Sequence, residues 1–211
     1  MMNDRSPSLL GCSAQIDRTD AGGPPRNIFS AGLSGHPLRT GVAIALMAAA
    51  SVALTLGFAC ALPLAAFACM AALTFRPGAA VIAVLAVWLA NQAVGFGLLH
   101  YPTDFSTFAW GAGLGAIGLL SLGAAWFVLS RMGGYSAIVA SFLAAFVAYE
   151  GAVFVGCAMT GDCAGAFAAP VVARIFAINA VSFGVFLAIR AVWTRSGLSQ
   201  FAGGATTLRH A

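Results

Sequence analysis

Between Thr40 and Trp193 the chain is a succession of apolar runs, several of eighteen residues or more, separated only by short turns. A helix of about 20 apolar residues crosses a ~30 Å hydrocarbon layer, and an unsatisfied backbone cannot do so. Such a chain is therefore expected to be an all-α, polytopic membrane helix bundle. Composition agrees: of 211 residues, 61% are hydrophobic and 8% charged, against about a quarter charged in a soluble domain. Mean hydropathy is +0.94.

The runs divide into six expected transmembrane helices: Thr40–Phe58, Cys60–Phe75, Gly78–Leu99, Ser106–Ser130, Gly134–Ala158 and Gly165–Trp193. The division of the first two rests on length. A single helix from Thr40 to Phe75 would reach ~54 Å, too long for a bilayer, so a break near Pro63 is expected. Residues 1–38, polar and rich in Gly, Pro and Ser, form an expected mobile N-terminal tail. Residues 39–195 form the membrane domain, and 196–211 a C-terminal tail. "SLLGC" (Ser8–Cys12) has the form of a lipoprotein cleavage site, but no apolar segment precedes it, so no signal peptide is expected.

The net charge of +4 comes from arginine alone. The arginines are scattered singly and make no nucleic-acid footprint. With six crossings, Arg39, Arg76, Arg131 and Arg195 share one side, while the opposite loops hold Asp104 and Asp162 and no arginine. This positive-inside pattern places both termini in the cytoplasm of a bacterial-type inner (plasma) membrane, with "HYPTDF" and "MTGDC" facing outward.

Glu150 and Arg174 stand in the fifth and sixth runs, each at an expected depth of ~12–14 Å from the outer surface. A lone charge there is costly, about 2.5–3.5 kcal/mol on insertion scales, so the two are expected to pair inside the bundle. Asn91 and Gln92 reach the same layer from the third run, Tyr149 adjoins Glu150, and Asn179 lies further down the sixth. Two readings follow: an outward-facing polar chamber, with Glu150 and Arg174 recognising charge and Asn91, Gln92, Tyr149 and Asn179 orienting a ligand, or a structural lock that fixes helix register. Trp110 and the His100–Asp104 turn would close the entrance. His100 and Asp104 are too few for a metal site by themselves, and no cofactor is expected. Cys157 and Cys163 flank an outer loop and suit a disulfide joining the fifth and sixth helices, although a soft-metal site or free thiols remain alternatives. No hydrolase, metalloprotease or phosphate-loop signature is present, and the cytoplasmic loops are too short for ATP chemistry, so the chain is not expected to be an enzyme.

Two small-residue stripes have helical spacing: Gly111, Gly115 and Gly118 in the fourth run, and Ala45, Ala49 and Ala53 in the first. Either suits close internal packing or a contact with another membrane subunit. Six spans, an outer polar layer and an Ala-x-x-x-Ala stripe on the first helix resemble the substrate-binding S components of energy-coupling-factor transporters. The resemblance implies capture of a small molecule or ion outside and docking on an energising membrane partner through Ala45 and Ala49. The leading expectation is an uptake protein for a small polar solute or ion. The alternative is a non-catalytic accessory or assembly subunit of a membrane complex.

Overall fold

The computed structural model describes residues 37–58, 62–161 and 165–195. Six helices follow one another: α1 Pro37–Phe58, α2 Leu64–Thr74, α3 Pro77–Gly97, α4 Phe105–Leu129, α5 Gly134–Thr160 and α6 Ala169–Arg195. Five of them, all but α2, are long and apolar enough to cross a membrane. Among the described residues the protein is a helical membrane bundle, in contact with lipid through exposed side chains such as Val42, Leu46, Val139, Val147, Val181 and Val192.

The second expected span differs. It forms an 11-residue helix, ~16 Å long at the standard rise, about half a hydrocarbon layer. Proline sets where it can start: Pro63 disfavours helical backbone at Leu62 and itself stands at the N-cap. The segment is apolar all round because it is enclosed all round. Every residue from Leu64 to Ala71 is buried, and α2 packs against α3, α4, α5 and α6. It begins level with Val87, midway along α3, and ends beside Ala80 near the start of α3.

Helices successive in the chain alternate in direction. Gly118, Gly115 and Gly111 of α4 receive Val84, Trp88 and Gln92 of α3 in reverse order. Trp110 of α4 meets Gly156 of α5. Phe142 and Phe154 of α5 meet Phe183 and Phe167 on the α6 side. Arg39, Arg76 and Arg131 therefore lie at one end of the bundle, as a six-crossing path requires, even though α2 is short. The glycine stripe of α4 is used for internal packing: a Cβ at Gly115 would stand 2.9 Å from the Trp88 ring, and one at Gly111 would stand 2.7 Å from Gln92 Oε1. Ala45, Ala49 and Ala53 of α1 instead face outward, exposed.

The expected N-terminal tail through residue 36, Cys60, Asp162, Cys163 and the C-terminal tail 196–211 lie outside the described residues.

Candidate functional site

An intramembrane helix end must find partners for its free backbone groups, because lipid offers none. Both ends of α2 find theirs on α6. The Ala66 N–H in the first turn of α2 donates to Asn179 Oδ1 at 3.1 Å, and Asn179 Nδ2 donates back to the Ile175 carbonyl at 3.0 Å. At the other end Arg190 donates to the Leu73 carbonyl at 2.9 Å and to Thr74 Oγ1 at 3.1 Å. An arginine at a helix C-terminus also suits the helix dipole. Asn179 is almost fully enclosed, 1% exposed. Its part in the bundle is that of a cap for α2.

Asn91 is likewise engaged between helices. The Thr55 hydroxyl donates to Asn91 Oδ1, and Asn91 Nδ2 donates to Ser51 Oγ at 3.3 Å and to the Val87 carbonyl at 3.2 Å. This clamp joins α1 to α3. Gln92 lies against Gly111, whose carbonyl accepts from Trp88 Nε1 at 2.7 Å. Tyr149 packs against the core of α2, α5 and α6. Trp110 is half-buried over Gly156. Asn91 and Asn179 thus hold helices together, and of the expected polar residues Glu150 alone lines the groove described below.

The Glu150–Arg174 ion pair does not form. Arg174 is exposed, and Glu150 Oε1 is enclosed without a hydrogen-bond partner. The two charges lie at similar depth, between the Phe154–Phe167 and Phe146–Phe176 contacts, but Arg174 stands on the exposed side of α6 and does not line the surface around Glu150. The helices are also held apart: α5 packs along α4 and α2, and α6 on α2. Between them stand phenylalanine pairs, Phe142–Phe183 stacked at 4.8 Å, Phe146–Phe176 edge-on at 5.0 Å and Phe154–Phe167 edge-on at 5.1 Å.

Glu150 faces a groove of about 340 Å³ lined by Phe146, Val147, Gly151 and Phe154 of α5, with Phe167 and Val172 opposite. These α5 residues repeat at helical spacing around Glu150, so one face of one helix supplies most of the lining. Gly151 leaves the floor open, since a Cβ there would meet no atom within 4 Å. The sequence drew attention to the acid but not to these walls. The Phe146–Glu150–Phe154 spacing was the available signal.

In the turn between α3 and α4, Asp104 caps α4 by accepting from the Thr107 N–H at 2.7 Å. That bond first, and the Thr107 hydroxyl second, hold its carboxyl below the ordinary value. His100 is exposed and left-handed, φ 54°. Tyr101 folds back on α3, its N–H donating to the Gly95 carbonyl at 3.0 Å and its ring seated on Gly95. Cys157, near the C-terminal end of α5, is disulfide-bonded. Cys163, its expected partner, is outside the described residues.

No protein-family model, curated protein or solved structure matches this chain.

Proposed function

We propose that this chain is an integral membrane uptake protein that holds a small charged solute at Glu150. The observation that carries the reading is the enclosed, unpartnered carboxylate oxygen of Glu150 at the wall of an open groove. A structural lock would leave no such atom, because a buried acceptor without a partner costs about 1–3 kcal/mol or more. A ligand that supplies the missing contact explains its presence. The arginines at one end of the bundle favour cytoplasmic termini in a bacterial-type inner membrane, which puts the groove in the outer half.

A specific observation favours a second reading. Ala45, Ala49 and Ala53 are exposed on α1 while the glycine stripe is filled from within. A flat, small-residue face allows another helix to approach closely. It suits a membrane-embedded coupling subunit, as the likeness to S components implies, or the complex of an accessory subunit.

Mild detergent extraction of the full chain, followed by mass spectrometry of bound small molecules, metals and proteins, separates the two. The uptake reading expects a bound solute in the wild type that is lost in Glu150→Gln. A stoichiometric membrane protein partner, with no solute in either form, overturns it in favour of the accessory subunit.

A further inference from the structure

We propose that the α5–α6 groove binds an organic ammonium compound with an apolar body, its cation on Glu150 and its body against Phe146, Phe154 and Phe167. The inference rests on the uptake reading of Glu150 and names the ligand class for that same site.

The lining selects this chemistry by elimination. The groove carries one ionisable group, Glu150, among Phe, Val and Gly. An anion would be repelled. A sugar or other many-hydroxyl solute would leave most of its polar groups without partners. A bare divalent cation needs six or more oxygen ligands for calcium, or a near-complete water shell for magnesium, and one carboxylate supplies neither. Among the described residues no three His, Cys, Asp or Glu side chains gather to hold a metal. An alkyl- or arylammonium ion needs what is present: one anionic acceptor, apolar walls, and aromatic rings that attract a nearby cation. Arg174 is not part of the lining, so no protein cation competes for the carboxylate there. The volume of about 340 Å³ lies at the small end of the range for small-molecule sites. It suits a single-ring or short-chain amine.

The same ammonium chemistry is offered by a free amine and by a phosphatidylethanolamine headgroup, since the groove opens along the helix sides. The test is equilibrium binding of radiolabelled phenethylamine to the full chain in nanodiscs, made either of phosphatidylcholine alone or with phosphatidylethanolamine added. The wild type should bind saturably in phosphatidylcholine. Glu150→Gln should weaken binding at least about tenfold, and uncharged 2-phenylethanol should not compete. Gly151→Leu, which fills the floor and leaves the carboxylate in place, should also abolish binding while the protein keeps its elution profile. Equal binding with and without phosphatidylethanolamine assigns the site to free amines, and loss of binding with it assigns the site to the lipid ammonium. Binding that survives both substitutions, or no binding in phosphatidylcholine, overturns the proposal. If another solute is then found on the wild type and lost in Glu150→Gln, the uptake reading stands without the ammonium assignment. If no solute is found, both fall.

Discussion

Asn179 and Arg190, eleven residues apart on α6, hold the opposite ends of α2: one accepts from the Ala66 N–H and the other donates to the Leu73 carbonyl. Ala66 and Leu73 are seven residues apart, so on parallel helices of equal rise Arg190 stands about one turn beyond Leu73 and its long side chain reaches back to the carbonyl. A helix too short to span the bilayer is thereby kept from exposing its ends to lipid. Removing the cap in Asn179→Ala should lower unfolding free energy by about 1–2 kcal/mol. Arg190→Gln should cost about as much or more, since a charged donor is lost. Denaturant titration in mixed micelles measures both. An unchanged midpoint for Asn179→Ala would mean that another group caps α2.

The close approach of α3 and α4 depends on glycine where large side chains meet it. Gly115→Ala puts a methyl 2.9 Å from the Trp88 ring. The ring must move, straining its bond to the Gly111 carbonyl, and a loss of about 1–3 kcal/mol is expected. Gly113→Ala, with nothing within 4 Å of the new methyl, should be neutral or slightly stabilising. The difference between the two melting curves in one detergent is the readout.

The α1–α3 clamp should be weaker than its number of bonds suggests. Interhelical polar contacts in membranes average ~0.6 kcal/mol. Thr55→Val, which removes the donor to Asn91 Oδ1, should therefore lower stability by less than about 1.5 kcal/mol. A larger loss in the same titration would assign Asn91 a role beyond packing.

Asp104 predicts a local acid sensitivity. Its carboxyl is lowered from 3.8 in the folded protein, chiefly by the Thr107 N–H. The cap is therefore fully present above the unfolded value of 3.8 and is lost as pH falls through the lower folded value. Once pH-dependent intrinsic exchange is corrected for, hydrogen exchange at the start of α4 should lose protection only below that range. In Asp104→Asn this pH dependence should disappear, whereas an unaltered profile would assign it to another group.

Much of the bundle could be read from the sequence because hydropathy and length act locally. The ends of α3 and α4 lie within two residues of expectation, and the glycine stripe marks a close contact. What escaped depended on tertiary facts. Pro63 shows where α2 starts, but nothing in its apolar residues says that it is enclosed instead of spanning. Asn179 looks like a ligand-binding amide until the end of α2 is placed beside it. Glu150 and Arg174 do stand at similar depth, but which way each side chain turns depends on how α5 and α6 pack on α2, and Arg174 is left exposed.

Glu150 presents an unpaired carboxyl group to an apolar groove that opens along the helix sides. Carbodiimides modify carboxyl groups, and their own solubility decides which ones they reach. Mass-spectrometric mapping after labelling the full chain in membranes with hydrophobic dicyclohexylcarbodiimide, in parallel with a water-soluble carbodiimide, tests it most directly. Glu150 should be labelled by the hydrophobic reagent and little by the soluble one, with no gain in Arg174→Gln. An unreactive Glu150 that becomes reactive only in Arg174→Gln would contradict it and restore the ion pair.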